Sequence, residues 1–472
     1  MNNRVYTLRR CFVIILFLNL FCVHLVGQDT SKIVNDITQL NPIKVSAIFS
    51  PTTTEEIINA VKTHNGPISI GGGRYSMGGQ TATEQALQID MRGFDSVLHF
   101  SKSEKEITVQ TGITWRKIQE FIDSHNLSVR IMQTYANFTV GGSLSVNVHG
   151  RYIGQGPIIL SVKQIKIVLA NGDLVTASPT ENKEIFFGAI GGYGGLGVIT
   201  QATLMLTDNI KVERTDKVLS IKEYRRFFVD NIRSDSTIIF HNADIYPNGY
   251  KKIREISYRE TKKDVTVNYR LKPNSKKYKF NKFAFKVISG FPSGKWLRQH
   301  VIDPLLYKGK PVEWRNYEAS YDVLELEPKS RKKSTYVLQE YFVPVDQFDS
   351  FYPLMTDILR KNKVNVMNIS IRHAKEDPGS LLAWAKTEVF AFVLYYKQGI
   401  KQKNKDLVKN WTQQLIDAAI SCNGTYYLPY QIYATQEQFF KAYPTSDKFF
   451  TLKKQLDPTN KFRNKLWDAY YK

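Results

Sequence analysis

The sequence predicts an α+β protein built in two parts, and three observations predict it. Elements of helical and of alternating period interleave through the first 208 residues without a strict strand–helix–strand rhythm, which disfavours a doubly wound sheet. Glycine-rich segments punctuate that region at 71–79, 139–150 and 191–197. From about residue 209 the composition shifts to aromatic, lysine-rich runs with few glycines. A chain of 472 residues is too long for one ordinary core, so separate domains are expected at 40–208 and 209–425, with a C-terminal segment at 426–472 that returns to the first.

The elements follow in order. Thr53 and Glu56 have the spacing of a capping box, opening a helix whose apolar face carries Ile57, Ile58 and Val61. Asn65, Gly66 and Pro67 end it, and 68–70 is a short strand. Further strands are predicted at 85–90 and 107–110. Thr114 caps a second helix with Trp115, Ile118 and Ile122 on one face. Residues 162–169 and 174–176 read as a hairpin, with Asn171-Gly172 as a type I′ signal. A short helix at 181–189 and an alternating strand at 198–206 close the first part. In the second part 336–342, 366–371 and 390–395 read as strands of an antiparallel sheet.

Residues 1–27 stand apart from the fold. Arg4, Arg9 and Arg10 precede an apolar run from Cys11 to Val26 that contains no acid, and Gly27 offers a small-residue cleavage point. This predicts a signal peptide, or an uncleaved N-terminal anchor, and an exported protein, periplasmic or extracellular. Beyond the leader only Cys422 remains, which leaves no internal disulfide, no thiolate zinc cluster and no expected metal site. The formal charge is +22, and with the leader's three arginines set aside about +19 remains. Such an excess makes a solvated basic surface or attracts an anionic membrane or substrate; in an exported chain nucleic acid is not the expected partner.

Three segments carry chemistry. The 71–79 loop follows a strand and contains five glycines, so its backbone amides can converge on phosphate oxygens that a β-carbon would block. At 139–150 small residues again permit close approach, and His149 is a candidate to hydrogen-bond a buried ring or hydroxyl. The 191–197 loop contains a literal G-x-G-x-x-G, but a helix precedes it and a strand follows, the reverse of a dinucleotide-binding βα turn.

Together and in this order, these segments resemble the FAD-binding domain of the vanillyl-alcohol-oxidase (PCMH-type) flavoproteins. The entry at 51–56 and the closing run 456–464 are similar to that family too. Within it, 139–151, 426–430 and 442–444 look most like the sugar-oxidising branch, the decaprenylphosphoryl-ribose oxidases and the aldonolactone (gulono- and arabinono-lactone) oxidases. The resemblance implies a two-part FAD-binding PCMH-type domain and an α+β substrate (cap) domain with an antiparallel sheet. It implies that Gly71, Gly72, Gly73, Arg74, Tyr75, Ser76, Gly78 and Gly79 hold the pyrophosphate of FAD. Thr139, Gly141, Gly142 and Ser143 would line the opposite side, Gly197, Val198 and Ile199 would touch the cofactor through backbone, and His149 would sit near the isoalloxazine. Many members link FAD to a histidine where this chain has Arg74, and some to a cysteine where it has Asn137, so FAD is expected without a covalent bond. The lactone oxidases' His-Trp-x-Lys motif is absent, and Tyr430 stands where the ribose oxidases place a lysine.

The implied reaction is oxidation of a CH–OH group in a polyol or sugar-derived substrate (an alditol, aldose, aldonolactone or sugar phosphate) by hydride transfer to flavin N5, with dioxygen, a quinone or a protein as electron acceptor. Gln339 and Tyr341 alternate on one predicted strand, Arg372 and His373 end a second, and Tyr395 and Lys397 end a third. Arg372 and Gln339 are the expected substrate-binding residues, and Tyr430 and His149 the expected proton partners. The competing expectation is a non-catalytic or anionic-surface binding protein on a flavin-oxidase scaffold.

Overall fold

The first helix begins where its cap predicts. Thr53 Oγ1 accepts from the Glu56 amide at 3.2 Å, the Glu56 carboxylate accepts from the Thr53 amide at 3.2 Å, and helix Thr54–Thr63 follows with Ile57 and Val61 buried. The computed structural model describes residues 32–273, 290, 293–325, 327–328 and 330–471. The segment predicted as a leader, with Cys11 and Cys22, lies outside the described residues. No described helix is long and apolar enough to cross a membrane.

An N-terminal ribbon pairs β1 (Lys32–Val34) with β2 (Ile43–Val45). Next, β3 (Ala47–Phe49), β4 (Ile68–Gly71) and β5 (Leu87–Asp90) form a parallel sheet in the order β3-β5-β4, with helix Thr54–Thr63 crossing from β3 to β4. An antiparallel sheet follows, made of β6 (Val97–Ser101), β7 (Glu106–Gln110), β8 (Leu127–Val129), β9 (Val162–Val168), β10 (Leu174–Ala177) and β11 (Val198–Asp208). Its long strand β11 pairs with β7, β8 and β9. Helix Trp115–Asp123, capped by Thr114, buries Trp115, Ile118 and Ile122 as its period predicts.

The hairpin between β9 and β10 forms, but its turn is not type I′. The Gly172 amide donates to the Leu169 carbonyl at 2.9 Å, Gly172 has φ +84°, and Asn171 is not left-handed. Asn171 instead turns its Oδ1 onto the Asp173 amide at 3.0 Å, an Asx turn that keeps the asparagine right-handed and leaves the positive φ to the glycine alone.

The second part is an eight-stranded antiparallel sheet. Its strands are β12 (Lys211–Ser220), β13 (Ile238–Ile245), β14 (Lys252–Glu260), β15 (Val312–Trp314), β16 (Ser334–Pro344), β17 (Val366–Ala374), β18 (Val389–Gly399) and β19 (Thr425–Tyr426), in the order β15-β12-β14-β13-β17-β18-β16-β19. Helices Ile221–Asn231 and Phe348–Lys361 pack on the face that carries Phe390 and Phe392. Strand β17 runs three residues beyond its predicted end, so Arg372 and His373 lie within the sheet rather than after it.

The last residues return to the first part. Phe462 bridges to Ile68 beside the parallel sheet, with the Ile68 amide donating to the Lys461 carbonyl at 2.7 Å and the Arg463 amide to the Ile68 carbonyl at 2.9 Å. Lys453, fully buried on helix Ser446–Leu456, donates to the Gly195 carbonyl, the Phe462 carbonyl and Asp457 Oδ2, each at 2.9 Å. Lys453→Met leaves the Asp457 carboxylate buried without its cation and is expected to cost about 3–5 kcal/mol. Urea unfolding of the purified variant measures this; a midpoint equal to that of the wild type would refute it.

Candidate functional site

Two hollows run together between the two parts. The narrower cleft is lined by Ile70, Gly72, Thr111, Thr139, Gly141, Gly142, Tyr193, Gly194, Gly197 and Ile199. The wider cavity has Gly73, Arg74, Tyr75 and Phe138 on one side. On the other side the eight-stranded sheet presents Tyr336, Leu338, Glu340, Arg372, Val393 and Tyr395. Gly72, Ser76, Thr81, Thr139, Gly142 and Val146 line both, so the space is continuous.

The cleft is narrow because its walls are bare backbone. A β-carbon on Gly72 would lie 2.2 Å from Thr139 Oγ1, and one on Gly197 2.3 Å from the Val168 carbonyl oxygen. Thr139 in turn caps helix Val140–Ser145 by accepting from the Gly142 amide at 3.3 Å. Beside this cleft Arg74 reaches Asp90 at 3.1 Å, and the same carboxylate takes Arg92 at 2.5 Å. One aspartate thus serves two guanidiniums, and Arg74 Nε is buried with no partner. Burial pulls Arg74 below its ordinary value against the attraction of Asp90. A surplus cation beside converging glycine backbone suits a bound diphosphate.

The wider cavity holds one polar unit among aromatic walls. His149 Nε2 and Glu340 Oε1 are 2.5 Å apart, and Tyr430 donates to Glu340 Oε2 at 3.1 Å. His149 and Glu340 side chains are each 3% exposed. His149 Nδ1 lies 3.1 Å from the Gly150 carbonyl, which can only accept, so Nδ1 carries a proton and Nε2 shares one with Glu340. Trp384 and Phe342 wall the imidazole, and Tyr427, whose amide donates to the Glu340 carbonyl at 2.9 Å, closes the remaining side. Burial, aided by Glu340, pushes the Tyr430 phenol well above its ordinary value, so it is a neutral donor near neutral pH. Tyr75 and Phe138 stack at 4.2 Å on the facing wall.

Of the expected residues, His149, Tyr430, Arg372, Gly72, Gly73, Arg74, Tyr75, Ser76, Thr139, Gly141, Gly142, Gly197 and Ile199 line the two hollows. Others do not. Gln339 faces the opposite side of β16, where its amide nitrogen donates to Tyr396 and to Thr412 on helix Gln402–Ser421, and it receives the Tyr341 hydroxyl. Both faces of its strand are covered and carry apolar side chains, so alternation marked two rows without telling which met the cavity. Ser143 is buried between Trp115 Nε1 and Gln133 Oε1, each at 2.8 Å. Val198 belongs to the core around Ile57 and Ile68. Gly71 ends β4 against Gln88, while Gly78 and Gly79 pack on the Tyr430 carbonyl and on Lys465, where a side chain would collide with the returning C-terminus. His373 binds Glu388 at 2.7 Å away from the cavity. Asn137 accepts from the Val323 amide at 2.9 Å.

The residue that sequence reasoning passed over is Glu340. A carboxylate inside the run Tyr336–Phe342 of otherwise apolar and amide residues was its signal, because such a group is buried only with partners or for use.

Comparison with known proteins bears on the cleft. Residues 45–178 match the FAD binding domain family. The chain is 29% identical over 189 residues to cytokinin dehydrogenase 1 of Arabidopsis thaliana, covering 38% of this chain and 33% of that protein. It is 28% identical over 191 residues to the FAD-linked oxidoreductase srdI of Neurospora crassa, covering 39% and 38%. With L-gulonolactone oxidase of Bos taurus it shares 26% identity over 189 residues, covering 39% and 42%. The matches thus span a third to about two fifths of these relatives. The first part of the chain is an FAD-binding domain, and the glycine-walled cleft with Arg74 fits the cofactor's diphosphate. Gly72→Val would drive its side chain into Thr139 and is expected to lower bound FAD at least tenfold, read from the 450 nm to 280 nm absorbance ratio of purified protein. Full FAD occupancy in this variant would contradict that reading of the cleft.

Proposed function

We propose that this protein is an FAD-dependent oxidoreductase that oxidises a CH–OH group of a sugar-like substrate. The observation that carries the reading is the Glu340–His149–Tyr430 unit, set in an aromatic cavity that runs into the FAD-domain cleft. FAD, when bound, supplies a two-electron acceptor for the hydride. The chain's own residues do the rest. Tyr430 is held with its hydroxyl hydrogen on Glu340, leaving an oxygen lone pair to accept a substrate hydroxyl. Glu340 takes up the released proton, and His149 adjusts the proton it shares with Oε1. Tyr336, Tyr395, Tyr75 and Phe138 exclude water and offer flat faces to the C–H sides of a sugar ring.

The residues at the two positions where a tether would stand support FAD held without a covalent link. Arg74 is occupied with Asp90, and Asn137 with the Val323 amide. The basic, apolar leader supports an exported location, and either dioxygen or a quinone or protein could reoxidise the flavin. Hydrogen peroxide formed in air separates the two.

Acid precipitation of the purified protein should leave FAD in the supernatant; flavin in the pellet would refute the non-covalent reading. In anaerobic bleaching with a panel of alditols, aldoses and aldonic compounds, Glu340→Gln should slow flavin reduction by the active donor about 10²–10⁴-fold, and Tyr430→Phe by less. Unchanged bleaching in Glu340→Gln would remove the proposed proton acceptor.

A further inference from the structure

Several of the charged groups in the wide cavity have polar partners. Arg74 meets Asp90, Glu340 meets His149 and Tyr430, and Arg331 gives its Nε to the Ile37 carbonyl at 2.8 Å. Among the described residues lining it, three charged groups are left short of partners: Arg74 at Nε, Glu327 at its carboxylate and, most completely, Arg372. It lines the cavity from β17, makes no hydrogen bond or ion pair among the described residues, and has a buried Nε without a partner. Its register neighbour on β18 is Ala391, whose own neighbour on β16 is Phe342, so that side offers it no acceptor; on the other side Asp244 of β13, level with Ser370 on the same face, is engaged by Arg298 at 3.8 Å and by the Asn242 side-chain amide at 3.4 Å. A guanidinium keeps its charge, and leaving its buried Nε–H unmet costs more than an ordinary lost hydrogen bond. What would satisfy its planar fork is a carboxylate or a phosphate.

We propose that Arg372 binds an anionic group of the substrate, so that the CH–OH donor is an acidic or phosphorylated sugar derivative and not a neutral polyol or lactone. This rests on the CH–OH reading and narrows its substrate class. The register places Glu340 level with Val393 and Ser370, two residues along from Arg372 and two strands away. At ordinary sheet spacings the two Cα atoms are then about 12 Å apart. Side chains converging from that separation leave room for a short carbon chain between the reacting carbon and the anion. The chain's net charge of +22 adds long-range attraction for such a ligand.

The test uses the full-length FAD-loaded protein and reads flavin absorbance as ligand is added. The probes are inorganic phosphate, D-gluconate, D-glucose 6-phosphate, sorbitol and D-gluconolactone. At least one anion should perturb the flavin spectrum at a concentration ten or more times lower than either neutral probe. Arg372→Gln should weaken that anion's binding 10- to 100-fold and leave the neutral probes unchanged, while Arg372→Lys retains part of it. Gluconate against glucose 6-phosphate tells a carboxylate from a phosphate. The proposal is overturned if no anion perturbs the wild type, if neutral probes bind as well as anions, or if Arg372→Gln alters the free protein's flavin spectrum and sulfite reactivity while anion binding is unchanged, since Arg372 would then face the cofactor. Bleaching by a neutral polyol alone defeats the anion assignment and leaves CH–OH oxidation standing; anion binding with no bleaching by any CH–OH donor does the reverse.

Discussion

The Lys453 ammonium leaves water at the place where three backbone segments meet, and the shape of the FAD-domain cleft follows from where its hydrogen bonds go. One fixes the Gly195 carbonyl in the 191–197 loop, one the Phe462 carbonyl beside the parallel sheet, and one Asp457, which itself receives the Lys461 and Phe462 amides at 2.7 and 2.8 Å. Asn464 extends the same junction by donating to the Tyr193 carbonyl at 2.8 Å. Phe449 and Trp467 then pack where β-carbons on Gly192 and Gly195 would stand. Tyr193 and Gly194, pinned in this way, wall the cleft opposite Gly72. The cofactor cleft is thus completed by residues some 260 positions later in the chain, and a buried charge that lost its partner there would disturb binding as well as stability.

The same returning segment supplies polar and aromatic walls of the wide cavity. Gln80 donates to the Leu428 and Tyr430 carbonyls at 2.7 Å each, which ties the 71–79 loop to the strand of chain that delivers Tyr427 and Tyr430. Tyr427 then reaches the Val146 carbonyl at 2.8 Å, and Trp384 the Asn147 carbonyl at 2.9 Å, holding the turn that presents His149. Asn147 sits at φ +50°, with its side chain on Asp377 at 2.7 Å. The imidazole is therefore placed by both parts of the protein at once, which is how a glycine-rich loop can carry an oriented ring.

Much of this was legible in the sequence, and the limits have physical causes. Caps at Thr53 and Thr114 are local and read directly, and so are the glycine segments and the antiparallel second part. The faces of β16 were not legible, because both are covered and carry apolar side chains, and period two cannot orient such a strand. That parity separates Gln339, which braces a helix, from Glu340 one residue on. The roles of Gly78 and Gly79 were equally hidden, since what excludes a side chain there is chain from about 350 and 386 positions downstream, at Tyr430 and Lys465. Asn171 misled for a local reason: its side chain served the turn directly and removed the need for its own positive φ.

The position of protons in the cavity decides which group can act as acceptor. Tyr430 is pushed up by burial and by the carboxylate it touches, so as a phenolate it would be least stable where it stands. It relays a hydrogen bond and does not hold negative charge. His149 is committed at Nδ1 to the Gly150 carbonyl, and its remaining nitrogen shares a proton with Glu340. Glu340 alone has one oxygen toward the phenol and the other toward the imidazole, so a proton leaving a hydroxyl at Tyr430 has a continuous path to it. Removing the carboxylate takes away the group on which both hydrogen bonds converge, whereas removing His149 leaves the link from Tyr430 to Glu340 in place. The burden on Glu340 therefore follows from connectivity.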